Sequence, residues 1–296
     1  MKMRQQFPLS VGQSLDDNEK VVVLLGDIGV WSFHKYKEKY PDRVYNIGIL
    51  EQATISTAAG LAKTGMIPVV HTIAPFIAER AYEQLKLDFG YQNIGGNFIS
   101  VGASYDYSGL GMTHYCPADV NVLSSIPNMQ IILPGTAEEF DSLYRQGYDN
   151  DRPTYYRISE DSNSVSVDVA FGKANVIKKG SAATIIAVGS MLDKVMNAVQ
   201  RLDVTLLYYT SVAPFDYDTL INNLTGNKII IVEPYYSGAV AKAIMEYSEP
   251  INAFMYNIGI PKTDLTTYGS RDEIDSVLGL TQEAVSGRIS NILDLH

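Results

Sequence analysis

Val21–Leu25 is an unbroken run of apolar, mostly β-branched residues that stops at Gly26-Asp27. A run with no polar alternate is a strand covered on both faces, the pattern of a parallel sheet. Further strands are expected at Arg43–Asn46, Ile67–His71, Asn97–Val101, Met129–Leu133 and Thr154–Ile158. Helical stretches fall between several of them. Ser32–Tyr40 is polar and stops before Pro41, Pro75 opens a helix running to about Phe89, and Thr136 with Glu139 three residues on marks the start of another. Strands alternating with helices predict an α/β domain, a mostly parallel sheet between two helical layers.

The pattern restarts after a polar interval. Ala183–Val188, Val204–Tyr208, Lys228–Val232 and Ile251–Tyr256 read as strands. Met191–Leu202, Asp216–Asn223, Ala239–Tyr247 and Thr281–Leu293 read as helices. The expected organisation is two three-layer α/β domains, 1–165 and a smaller 181–296, joined by a linker over 166–180. A length of 296 residues suits that division at roughly 100–200 residues per domain.

Charge and composition narrow the function. A net charge of -10 disfavours nucleic acids and acidic membranes as partners. No apolar run approaches the ~20 residues of a membrane span. The start, Met1 to Gln6, is basic but lacks the apolar segment of a signal peptide. Cys116 is the single cysteine, which excludes an internal disulfide and fits a reducing, cytoplasmic setting. The chain has 20 tyrosines, which are amphipathic and suit packing and interfaces.

The chemistry concentrates where strands end. Gly48-Ile49-Leu50-Glu51-Gln52 joins a strand to a small-residue helix running through Ala58-Ala59-Gly60-Leu61-Ala62. An acid there lies at the carboxyl edge of the sheet, where α/β folds bind ligands; by helix position alone an ordinary surface acid is the better reading. Ala74-Pro75-Phe76-Ile77-Ala78-Glu79-Arg80-Ala81-Tyr82 follows, then Gly109-Leu110-Gly111-Met112-Thr113-His114. Ser125-Ile126-Pro127-Asn128-Met129 and Pro134-Gly135-Thr136 complete the series.

In this order and spacing the motifs resemble the pyrimidine-binding domain of transketolase and its relatives. These include the 1-deoxyxylulose-5-phosphate synthases and, more distantly, the β chains of 2-oxoacid dehydrogenase E1 enzymes. Ile185-Ile186-Ala187-Val188-Gly189-Ser190 and Val232-Glu233-Pro234-Tyr235 resemble the C-terminal domain of the same family. The resemblance implies thiamine diphosphate as cofactor. Glu51 matches the glutamate that bonds N1′ of the aminopyrimidine and favours the imino tautomer that takes a proton from the thiazolium. To share that proton its carboxyl needs a dry, apolar place. Phe76 matches the aromatic residue stacked on the pyrimidine, and Tyr82 a second aromatic near it. Asp27 and Ile28 resemble an acid–aliphatic pair in which the aliphatic residue wedges the cofactor, with Ile49 contacting the ring from the other side. His114 matches the histidine facing the substrate carbonyl and hydroxyls, able to shuttle protons near neutral pH. Arg157 falls at a phosphate-binding arginine, although a linker arginine is an equal reading. Arg80 matches a recurrent arginine expected to form an ion pair within the subunit. His71 is expected to be packing, and His34 has no matching role.

Two departures matter. Relatives carry an Asp-Gly pair between Gly-Leu-Gly and Thr-His, where this chain has only Met112, so the group that reads a donor hydroxyl is missing. Gly26-Asp27 is followed by Ile28, and no Gly-Asp-Gly occurs to hold a metal. The diphosphate and its Mg²⁺ or Ca²⁺ are therefore expected on a partner chain, the N-terminal section of a split transketolase, in an α₂β₂ heterotetramer with a self-associating β dimer. The implied activity is transfer of a two-carbon ketol unit between sugars or sugar phosphates. A 2-oxoacid dehydrogenase E1 β chain and a non-catalytic scaffold are the alternatives.

Overall fold

The computed structural model of the chain describes residues 1–295. Two mixed sheets form the frame. Six parallel strands build most of the first: β1 (Val21–Leu25), β2 (Val44–Asn46), β3 (Ile67–Ile73), β4 (Gly96–Val101), β5 (Gln130–Ile132) and β6 (Pro153–Arg157). The second comprises β7 (Ala174–Lys178), β8 (Thr184–Val188), β9 (Thr205–Tyr209), β11 (Lys228–Tyr236) and β12 (Phe254–Ile260), with only β7 antiparallel. Strand β10 (Ser211–Ala213) lies antiparallel at one edge of the first sheet. The first sheet thus runs β10-β5-β6-β4-β3-β1-β2 and the second β12-β11-β8-β9-β7.

The apolar runs are buried on both faces because alternate side chains enter different cores. Val21, Val23 and Leu25 pack with Met3, Phe7, Val11 and Leu15 of helix α1 (Met3–Asp17) and with Phe140 and Leu143 of α6 (Ala137–Gly147). Val22 and Leu24 pack with Ile55 and Ala58 of α3 (Glu51–Lys63) and with Ile77, Leu85 and Phe89. Both cores continue into the second sheet, through Ile185 and Ala187 on one side and Ile186 and Val188 on the other. The remaining helices are α2 (His34–Lys39), α4 (Tyr82–Gln84), α5 (Asp119–Leu123), α7 (Leu192–Ala198), α8 (Tyr217–Asn222), α9 (Ala239–Met245), α10 (Arg271–Leu278) and α11 (Gln282–Leu293). No helix among the described residues is long and apolar enough to cross a membrane.

Several local expectations are revised. The stretch 166–180, expected as a linker, carries β7, which pairs with β9. β10 follows the second domain's β9 in the chain yet adds to the first sheet through β5. The segment from Pro75 is not one regular helix: π-turns occupy Phe76–Arg80 and Leu85–Tyr91, with α4 between them. Helices α1 and α10 have no counterpart in the expected pattern.

Candidate active site

The carboxyl ends of β1, β2, β3 and β4 converge on one edge of the first sheet. Gly48, at φ +87°, turns the chain between β2 and α3, and Glu51 occupies the first turn of that helix. Its side chain is 4 % exposed. It lines a narrow crevice with Gly26, Thr54, Ile55, Val70, His71, Thr72 and Ile77. Arg80 Nη1 donates to Glu51 Oε2 at 3.0 Å and supplies the counter-charge that a buried carboxylate requires. Oε1 is buried and has no hydrogen-bond partner. An unpaired buried acceptor costs about 1–3 kcal/mol, so its persistence at a crevice marks a place for a donor.

Phe76 continues the site. The Arg80 guanidinium lies 3.9 Å from its ring centre, and the His114 ring meets it edge-on at 5.6 Å. Phe76 and Arg80 share the π-turn, so one turn aims both an aromatic face and a cation at the Glu51 helix. His114 sits on the loop after β4, its Nδ1 3.0 Å from Thr113 Oγ1 and its ring 6.3 Å from Tyr107. Glu51, Arg80, Phe76 and His114 thus form a continuous row.

The other expected residues are placed less uniformly. Asp27 adopts φ +58° and is locked to Asn46: its N–H donates to Asn46 Oδ1 and its Oδ1 accepts from Asn46 Nδ2, both at 3.0 Å. Ile28 is half-buried beside it, whereas Ile49 is 66 % exposed, next to an exposed Leu50. Tyr82 is half-buried, with its hydroxyl 2.7 Å from Ser125 Oγ and Lys86 over its ring, and it pairs with no other aromatic ring among the described residues. Arg157 is set inward. It is 3 % exposed, donates through Nε to Asp119 Oδ2 at 2.7 Å and through Nη2 to Ser104 Oγ at 2.6 Å, and lies 5.6 Å from the Tyr235 ring. Two of its three nitrogens are thus held within the chain, beneath the loop after β4.

His71 belongs to the site's floor, a role its position in a buried strand concealed. Its Nδ1–H donates to the Ile99 carbonyl at 2.8 Å, and its ring underlies the turn at Gly29, where a Cβ would come within 3.2 Å of Nε2. Burial pushes its pKa down to about 4, so the ring is neutral and adds no positive charge beside Glu51.

Family models match this arrangement along the chain: the transketolase pyrimidine-binding domain over residues 1–164 and the transketolase C-terminal domain over 172–285. The chain belongs to the transketolase family. It is 34% identical to the "Uncharacterized 33.6 kDa protein in fasciation locus" of Rhodococcoides fascians, over 97% of this chain and 93% of that one. It is 29% identical to one subunit of the apulose-4-phosphate transketolase of Actinobacillus succinogenes, over 72% and 74% of the two chains. The 1-deoxy-D-xylulose-5-phosphate synthase of Psychromonas ingrahamii is 30% identical over 88% of this chain, which spans 43% of that enzyme. Among solved structures, a split-gene transketolase described as an inactive β₄ tetramer superposes with a TM-score of 0.86 and 25% identity, covering 100% of this chain and 99% of that one. Transketolase from Campylobacter jejuni gives 0.84 at 16% identity over 98% of this chain and 46% of its own, a likeness of fold.

This transketolase-family chain therefore resembles the β subunit of a split enzyme, within a thiamine diphosphate-dependent family. The residues present fit the pyrimidine half of that cofactor: a buried, unpartnered carboxylate oxygen for a ring nitrogen, with an aromatic side chain connected to it through Arg80.

Proposed function

We propose that this chain is the pyrimidine-binding subunit of a split, thiamine diphosphate-dependent transketolase, completed by a separate chain that holds the diphosphate and its Mg²⁺ or Ca²⁺. The reaction is transfer of a two-carbon ketol unit between sugars or sugar phosphates. Thiamine diphosphate, when bound, supplies the electron sink for cleavage beside a carbonyl. The rest falls to side chains of this chain. Glu51 shares a proton through Oε1 with the ring nitrogen, while Arg80 holds Oε2 and so fixes which oxygen is presented. Phe76 gives the ring an aromatic face, and Ile28 and Ile49 give it apolar contacts. Tyr82 flanks the same segment, and Asp27 holds the turn after β1. His114 faces the substrate and moves a proton at its carbonyl or hydroxyl oxygen. The observation carrying this reading is the free, buried Oε1 of Glu51.

The partner chain completes the site at the exposed edge around Ile49 and Leu50, in an α₂β₂ assembly. A β₄ form is described for the split-gene relative, which supports self-association of such subunits.

The test mixes this chain with its diphosphate-binding partner and follows a ketose donor. Turnover is expected only when both chains, thiamine diphosphate and the metal are present. Glu51→Ala is expected to lower turnover by about 10²–10⁴-fold while leaving the assembly intact by size-exclusion chromatography. Full turnover by the partner alone rejects the proposal. Keto-acid-dependent dye reduction by the complex assigns it to the 2-oxoacid dehydrogenases instead, and cofactor binding without turnover of any ketose points to a scaffold.

A further inference from the structure

The loop carrying His114 is fastened to the C-terminal domain through buried charge. Asp106, whose side chain is fully buried, accepts from Arg271 Nη1 at the start of α10. Arg271 Nη2 also meets Asp161 Oδ2 at 2.8 Å. The second Asp106 oxygen accepts the Glu160 N–H at 2.9 Å. One residue earlier, Tyr105 donates to Asp275 Oδ1, and the other Asp275 oxygen takes Lys194 Nζ at 2.7 Å. Further along, the Tyr115 hydroxyl lies 3.0 Å from the Thr267 carbonyl. Gly111 leaves so little room that an added Cβ would collide with the Tyr268 ring where it now lies. The segments on both sides of His114 are thus tied to residues 267–275.

Buried ion pairs add little net stability, but they tolerate few geometries, because each charge must meet its partner or bear the cost of desolvation. Arg271 shows that constraint. Its two terminal nitrogens are committed to two carboxylates while its Nε is buried with no partner. Burial pushes the pKa of Asp106 up, and Arg271, ahead of the Glu160 N–H and Arg157, is the largest influence opposing it. His114 is held to the loop by its own Nδ1 contact with Thr113 and by the backbone bond from its N–H to the Gly111 carbonyl, so its ring goes where the loop goes.

We propose that Arg271 is a positioning residue for His114: through Asp106 it sets where the loop holds the imidazole against Phe76. The C-terminal domain thereby governs engagement of the substrate from outside the candidate site. The proposal depends on the transketolase reading only in giving His114 a substrate to face.

The test needs neither cofactor nor partner. The full chain carries four histidines, so selective ¹³C labelling gives a short spectrum in which His34 and His71 serve as internal references. The double substitution Arg271→Met/Asp106→Asn removes both charges without stranding either. It is expected to shift and broaden the His114 ring signal, leave His34 and His71 in place, and speed amide exchange over 104–116 about tenfold while the strands keep their protection. Arg271→Lys, which keeps the charge but loses the fork, is expected to fall between the double variant and the parent. An unmoved His114 signal with unchanged loop exchange in the double variant overturns the proposal, as does equal movement of all the histidines. In the two-chain enzyme the same variant is expected to raise the KM for the ketose about tenfold, with half-saturation by thiamine diphosphate unchanged, as coupling of this size is ordinary between contacting groups. Absence of turnover in the parent complex counts against the transketolase reading and leaves the spectroscopic result standing.

Discussion

Breaking the Glu51–Arg80 pair from its two ends should give unequal costs. Glu51 is 4% exposed, whereas the Arg80 side chain is 39% exposed, and they meet at 3.0 Å. Arg80→Met strands a carboxylate in a crevice too narrow for water, lined by Ile55, Val70 and Ile77. Removing one partner of a fully buried pair costs about 3–5 kcal/mol. Because the Arg80 end is partly wet and screened, roughly half of that, about 2 kcal/mol, is the expected loss. Glu51→Gln removes the buried charge itself. Arg80 keeps an amide oxygen to donate to and can turn its charge to solvent, so the expected change is within about 1 kcal/mol of zero. Arg80→Met/Glu51→Gln should recover most of the loss seen in Arg80→Met alone. Urea unfolding followed by far-UV circular dichroism at neutral pH measures all three variants. Arg80→Met no less stable than Glu51→Gln would refute the reasoning, since Arg80 would then not be the group that makes a buried carboxylate tolerable there.

Two buried titrating groups give opposite pH dependences. Glu233 is fully buried within β11, and burial raises its pKa from 4.5 to about 7 against the Gly238 and Val240 N–H groups that favour its charged form. The folded chain keeps a proton that the unfolded chain releases, so the stability Glu233 contributes is present below pH 4.5 and is lost as pH rises towards 7, by roughly 3 kcal/mol. His71 runs the other way: its pKa falls from 6.5 to about 4, so its stability is present above pH 6.5 and is lost as pH falls towards 4, by a similar ~3 kcal/mol. The two slopes overlap between pH 4.5 and 6.5 and should largely cancel in the parent chain; melting temperatures across that range should rise with pH in Glu233→Gln and fall with pH in His71→Asn, and parallel curves for all three chains would contradict both assignments. Gly111 sits at φ +73° against the Tyr268 ring, which is 66 % exposed and free to swing aside, so Gly111→Ala should cost about 1 kcal/mol through backbone strain, read as a lowered urea midpoint.

Burial on both faces made the central strands plain, since β1 has no residue that water could claim. The same rule hid α1. Its buried Met3, Phe7, Val11 and Leu15 repeat every fourth residue, but Pro8 and Gly12 lie inside the helix and weaken any propensity argument. α10 carried the same cap signal that marked α6: Ser270 and Glu273 form a full capping box. In α6 the Thr136 side chain does accept the Glu139 N–H, yet the Glu139 carboxylate goes elsewhere, to the Gly135 N–H and the Tyr208 hydroxyl. A cap pattern therefore locates a helix start without stating what its acid will bind.

The candidate site divides along the same line. Phe76 and Arg80 share one π-turn, so their contact follows from nearby sequence, whereas Arg80 reaches Glu51 across 29 residues. Tyr82 shows the limit, because counting positions along a regular helix from Phe76 fails once a π-turn changes the angular step. Arg157 shows the larger limit. Its partner Asp119 is 38 residues away, on α5, and the two meet only when β6 and α5 are both in place beneath the loop. The Tyr155 hydroxyl donates to the same Asp119 oxygen at 2.9 Å, so the carboxylate is already shared between two neighbours on one strand. An arginine at a strand's carboxyl end is legible as a cation near the site. Whether that cation faces a ligand or holds the fold depends on a distant carboxylate, and here Asp119 takes it inward.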